Sequence, residues 1–270
     1  MKYLVCVPIA NIRKEPNLTS ELIDQVLHGW PVEVLEKHGE FLKIKTFYNY
    51  EGYIKKEDIV KINKTVNYSK EKSTVQYSSH VITQPFADLS AGETVQHYVK
   101  ITIPAGSYVG MIGEGEKYSF VRNSTGATSG YIRNKFLKTF KKPVFSLEQL
   151  EYDEEELRQN LIKTAQMYMG VQYRWGGKTH MGIDCSGLVF MSYLINGIIL
   201  YRDAKIKEGF AAKEIEKEDI KLADLIYFKG HVGMYIGDGK MIHSSDTNGG
   251  VAIDQLENLP WDIIAYASVF

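Results

Sequence analysis

A thiol that attacks a carbonyl needs support for its anion, a base beside it, and donors for the oxyanion that forms. The stretch Gly182-Ile183-Asp184-Cys185-Ser186-Gly187-Leu188-Val189-Phe190 offers the first and the third. Asp184 is a candidate N-cap, placing Cys185 in the first turn of a helix that runs to about Ile195 and ends at Gly197. The start of a helix presents unpaired N–H groups and about half a positive charge, which favour a thiolate and can hold an oxyanion. For the base, His231 opens a strand after the Lys229-Gly230 turn, and His243 lies in the next strand, beyond the Gly237-Asp238-Gly239-Lys240 hairpin signal. A tight hairpin can set two such residues side by side on one sheet face, one pairing with the thiol and the other orienting it. The chemistry implied is acyl transfer: attack on an amide or ester by a thiolate–imidazolium pair, a thioester intermediate, then hydrolysis.

Duller readings compete. By residue type alone a buried cysteine is more often an inert small hydrophobe than a nucleophile. One cysteine and two histidines could ligate zinc, but no second cysteine is near and no His-x-x-x-His spacing occurs. Gly176-Gly177-Lys178-Thr179 has the tail of a phosphate loop, yet Gln172 stands where its first glycine belongs. Tyr173 and Trp175 suit either a core or the walls of a substrate cleft. His28, His38, His80 and His97 read as solvated turn residues, with His180 bordering the cleft.

The elements that must position these groups fall into two kinds. Residues 3–62 read as short strands with glycine-marked turns, as in a small β-barrel. Residues 64–140 repeat the theme, including a strand-like stretch from Thr94 to Ile103, and Ser129-Gly130-Tyr131-Ile132 echoes Glu51-Gly52-Tyr53-Ile54. Lys141-Lys142-Pro143 reads as a linker. Beyond it, Asp153 and Glu156 form a capping box for a helix carrying Leu157, Leu161, Ala165 and Tyr168. The Cys185 helix and an antiparallel sheet follow, which makes an α+β domain.

With 44% hydrophobic residues, 24% charged residues and a net charge of -1, the 270-residue chain is an ordinary globular sequence. Nothing in that balance draws it to nucleic acid or an anionic membrane. Met1 to Pro8 is too short an apolar stretch for a signal peptide, and no window reaches the roughly 18 apolar residues of a membrane span. With two cysteines in different domains, this points to a reduced, cytoplasmic protein.

Four motifs together resemble the NlpC-type cell-wall cysteine peptidases: Tyr173-Arg174-Trp175-Gly176-Gly177, Asp184-Cys185-Ser186-Gly187-Leu188-Val189, Gly230-His231-Val232-Gly233-Met234-Tyr235-Ile236-Gly237-Asp238-Gly239, and Ile242-His243-Ser244. The resemblance implies a papain-like fold with Cys185 as nucleophile, His231 as general base and His243 as the residue that orients it. Arg13 to Pro16, Ser20-Glu21-Leu22, Gln25-Val26-Leu27-His28-Gly29 and Tyr50-Glu51-Gly52-Tyr53 resemble the first bacterial SH3-like domain of one subgroup. The implied architecture is all-β SH3-like barrels at 1–63 and 64–141, then an α+β papain-like catalytic domain at 142–270.

That subgroup cuts the γ-D-glutamyl bond to a diamino acid in peptidoglycan stem peptides that bear a free N-terminal L-alanine, in cell-wall recycling. Carried over, Glu21, Tyr50 and Asp184 hold the substrate amine, while Tyr173 and Ser186 line the cleft; Trp175 joins them as a substrate-binding candidate on the reading of its own position. An endopeptidase on muropeptides is therefore expected, with no metal or organic cofactor. A vestigial binding module, or an amidase or transpeptidase of the same superfamily, is the alternative. The family's glutamine after Arg-Asp is missing from Arg202-Asp203-Ala204-Lys205-Ile206-Lys207-Glu208-Gly209, so that loop's contacts stay open.

Overall fold

A computed structural model describes residues 2–61, 80–123, 128–139 and 141–270. The chain divides into two compact units, Met1–Lys141 and Lys142–Phe270. The expected boundary at 63/64 lies outside the described residues.

The first unit holds two all-antiparallel, SH3-like sheets. Strands β1 (Lys2–Val5), β2 (Ile9–Arg13), β3 (Leu22–Leu27), β4 (Pro31–His38), β5 (Phe41–Thr46), β6 (Glu51–Lys55) and β7 (Ile59–Lys61) build the first. Strands β8 (His80–Ile82), β9 (Phe86–Ser90), β10 (Val99–Pro104), β11 (Tyr108–Gly113), β12 (Tyr118–Asn123), β13 (Ser129–Arg133) and β14 (Leu137–Thr139) build the second. Their orders, β3-β2-β6-β5-β4-β1-β7 and β10-β9-β13-β12-β11-β8-β14, are the same topology repeated strand for strand. The echoing Gly-Tyr-Ile segments fall on the equivalent strands β6 and β13. In the second sheet β10 begins only at Val99, so Thr94 to Tyr98 is not strand as expected from its composition.

Alternate residues point inward, and Ile82, Ala87, Leu89, Ile103, Val109, Val121 and Ile132 close the second core. The two sheets meet at Trp30, whose indole N–H donates to Gly106 O at 2.7 Å while its ring lies 6.1 Å from Tyr108. His28 is wholly buried there rather than solvated, and its backbone carbonyl accepts from the Tyr108 N–H at 2.9 Å.

The second unit is α+β. Helix α1 (Glu154–Gln166) starts at Asp153, whose carboxylate accepts from Glu156 N at 2.8 Å. Helix α2 (Cys185–Ile195) is buried on every face from Cys185 to Leu194, as befits a central helix of Leu, Val, Phe and Met. Strands β15 (Lys178–Thr179) and β16 (Gly182–Ile183) pair just before α2. A six-stranded antiparallel sheet is formed by β17 (Lys213–Ile215), β18 (Leu225–Phe228), β19 (His231–Gly237), β20 (Lys240–Ser245), β21 (Gly250–Gln255) and β22 (Ile263–Ser268). Its order is β17-β22-β18-β19-β20-β21, and α2 packs across β19 and β20. That crossing brings the start of the helix to the strands that carry His231 and His243.

Candidate active site

Asp184 caps α2 through Oδ1, which accepts from Gly187 N at 2.5 Å. The turn requires glycine at 187: a Cβ there would stand 2.3 Å from Gly177 O and 2.9 Å from Asp184 Oδ1. Asp184 is also gripped by Arg202, with NH1 to Oδ1 at 3.0 Å and NH2 to Oδ2 at 2.9 Å. Gly176 N donates to Oδ2 at 2.8 Å and the Ser186 hydroxyl to Oδ1 at 3.2 Å. Arg202 NH1 also donates to Ser186 Oγ at 2.7 Å. This buried bidentate pair fixes the first turn of α2 and answers what the Arg202 loop does.

Cys185 is buried, with 6% of its surface exposed. The Val232 and Ser186 N–H groups bond the sulfur and favour its anion, as does the Arg202 charge. Val232 follows His231 directly, so this contact sets the thiol at the start of β19. Burial and then the Asp184 carboxylate act in the opposite sense and prevail, pushing the thiol up to about 11. Burial, then the neighbouring His243, pushes His231 down to about 4. In place of the expected thiolate–imidazolium pair, both groups are held toward their neutral forms at rest, because removal from water penalises each charge.

The hairpin places the histidines as its register dictates. Met234 pairs with Ile242 and Tyr235 with Met241, which puts Gly233 opposite His243 and His231 on the diagonal. Their rings meet edge to face, with His231 Nε2 and His243 Nδ1 2.8 Å apart. The Trp261 ring lies 4.8 Å from the His231 ring. Asp254 on β21 was not foreseen: its Oδ2 is 2.9 Å from His243 Nε2 and accepts from Asn248 Nδ2 at 2.7 Å. The pairing His243↔Ala252 sets Asp254 on the next diagonal, so only the register, not the residue type, could have disclosed it.

A cavity of about 490 Å³ opens beside His231, lined among others by Tyr173, Trp261, Lys229, Asp246 and Asp262. Tyr173 is pushed up to about 12 by burial, then by Cys185 and Asp184, so it faces this site as a neutral phenol. Trp175 is 60% exposed and lies outside that lining. Glu21 and Tyr50 belong to the first unit. Arg13 pairs with Leu22 on one side and Tyr53 on the other, so both residues lie beyond the same end of β2. Glu21 Oε2 makes a surface ion pair with Lys14 at 3.2 Å.

Residues 170–266 match the NlpC/P60 family and residues 10–60 match the bacterial SH3 domain. A dipeptidyl-peptidase 6 of Lysinibacillus sphaericus is 35% identical over 262 residues, covering 95% of this chain and 92% of the relative. A gamma-D-glutamyl-L-lysine dipeptidyl-peptidase of Bacillus subtilis is 37% identical over 103 residues, covering 35% of this chain and 34% of the relative. The crystal structure of an NlpC/P60 family protein from Bacillus cereus superposes with a TM-score of 0.80 at 22% identity, covering 98% of both chains, so the fold is shared along the whole length. With a cysteine at the start of a central helix, a histidine pair on the facing hairpin and a full-length relative at 35% identity, the chain belongs to the NlpC/P60 cysteine peptidases and carries an N-terminal bacterial SH3 domain.

Proposed function

We propose that the protein is a dipeptidyl-peptidase of peptidoglycan stem peptides. It cuts the γ-D-glutamyl bond to the diamino acid and releases L-alanyl-γ-D-glutamate from a free N-terminus. Cys185 attacks the γ-carbonyl while His231 takes the thiol proton and then delivers it to the leaving amine. The Cys185 N–H at the start of α2 receives the oxyanion, since the Ser186 and Gly187 N–H groups are already bonded to the sulfur and to Asp184. Water then hydrolyses the thioester with His231 as base. The reading rests chiefly on the full-length relative named a dipeptidyl-peptidase, and the gamma-D-glutamyl-L-lysine dipeptidyl-peptidase of Bacillus subtilis supports the bond and the substrate. Cleavage two residues from a free amine narrows the endopeptidase expectation to a dipeptidyl-peptidase.

Such specificity needs an anchor for the ammonium. Glu21 and Tyr50, beyond one end of β2, supply a carboxylate and a phenol for it. Asp184 belongs to the proposed set as well. Its two oxygens already accept from five donors, so its share is mainly the field of its charge. Ser186 is held between Asp184 and Arg202, and its part in the cleft is to keep that carboxylate oriented. Tyr173 walls the cavity, and Trp175 offers an exposed apolar face. Glycan-attached stems, whose alanine is acylated, would lack the charge that these groups recognise. Incubation with L-Ala-γ-D-Glu-L-Lys and its meso-diaminopimelate counterpart, with products weighed by mass spectrometry, tests the reading. The expected products are the dipeptide and the free diamino acid; release of alanine alone would overturn it.

A further inference from the structure

We infer that Asp254 is a positioning residue that fixes the tautomers of both active-site imidazoles. Its carboxylate can only accept, so the His243 Nε2 that faces it at 2.9 Å carries the hydrogen. Neutral His243 is then left with a lone pair on Nδ1, which faces His231 Nε2 at 2.8 Å. That nitrogen must in turn be the donor. Neutral His231 keeps its lone pair on Nδ1, the only nitrogen able to receive the Cys185 proton. Without the carboxylate, each ring could reverse, and a His231 protonated on Nδ1 would present the thiol with a donor in place of a base.

The surroundings leave the task to Asp254. Among the described residues, the aromatic side chains against the two imidazoles are Phe228 and Trp261, at 5.9 Å and 4.8 Å from the His231 ring. Neither carries an acceptor to choose between ring nitrogens. Asn248 Nδ2, 2.7 Å from Asp254 Oδ2, holds the carboxylate in place. The side chain of Asp254 is 35% exposed, so replacing it opens no cavity in the core. It touches neither the sulfur nor a reacting carbonyl, and it acts through His243 alone. As the imidazoles take up the proton during attack, the carboxylate also balances the positive charge.

The test is made on the full chain with ¹⁵N-labelled histidine at pH 7, where tautomers are read by long-range ¹H–¹⁵N correlation without substrate. In the wild type both His231 and His243 are expected as Nε2–H. Asp254→Asn can donate instead of accept, and the pattern is expected to invert or mix. Its kcat should fall by about 100-fold with KM within about twofold, a milder form of the roughly 10⁴-fold loss when a directly bonded carboxylate is amidated in a serine triad. Asp254→Ala should mix the tautomers, and Asp254→Glu should restore the wild-type pattern and most of the rate. Unchanged tautomers in the Asn and Ala variants overturn the inference, whatever the rate does, since a rate loss alone would mark a merely structural role. The spectra need no peptide, so their outcome is independent of whether the proposed substrate is correct.

Discussion

Cys185 and His231 rest in opposite relation to that of a preformed ion pair. With the thiol raised to about 11 and the imidazole lowered to about 4, the proposed mechanism has proton transfer accompany the attack. Two outcomes follow. Inactivation by iodoacetamide should climb steadily from pH 7 to pH 10; a plateau already reached at pH 6 would mean a stable thiolate. The acid limb of kcat/KM should fall near pH 4, where His231 takes a proton, and not near the ordinary 6.5. Much of this residue set was legible from the sequence, because Cys185, His231 and His243 sit in motifs whose spacing reports a helix start and a hairpin. Asp254 and Arg202 were not legible as partners. Their places depend on strand register and on a loop folding back over α2, which local spacing does not encode.

The first turn of α2 carries the proposed nucleophile, and its tightness makes a testable demand. Gly187→Ala would press a methyl group against the carbonyl of Gly177, a backbone atom that cannot swing away. The turn holding Cys185 must shift, at a cost of about 1–3 kcal/mol or more, with a loss of activity out of proportion to it. Thermal unfolding and turnover of the variant check this; wild-type behaviour would contradict the packing described. In the first unit, His28 shows where the sequence misled. A histidine before glycine looks like a solvated turn, but the docking of the two sheets buries it and lowers it to about 4. The unfolded chain binds its proton at about 6.5, so the stability gained from keeping His28 neutral is complete above that pH. It is lost as the pH falls toward 4, by roughly 3 kcal/mol. Denaturant unfolding at pH 6.5 and pH 4.5 should show a smaller acid loss in His28→Phe than in the wild type.

Across the whole molecule, the same seven-strand order occurs twice ahead of the catalytic unit, and one short echo, Gly-Tyr-Ile, was enough to suggest it. The rest of the repeat has diverged beyond recognition because an SH3-like sheet demands alternation and turns, which many sequences satisfy. The proposed selectivity for a free amine rests on Glu21, just before the third strand of the first of these sheets. Replacing Glu21 by alanine should therefore narrow the gap between free and N-acetylated substrate while leaving cleavage of the acetylated one nearly unchanged. The most direct measurement is kcat/KM for L-Ala-γ-D-Glu-L-Lys against its N-acetyl form, with the wild type and Cys185→Ala side by side. Loss of a hydrogen bond to a charged group costs about 1.5–3 kcal/mol, so the free peptide should be favoured at least about 10-fold. Cys185→Ala should release no dipeptide. Equal turnover of the two peptides, or dipeptide release without the thiol, would contradict the account.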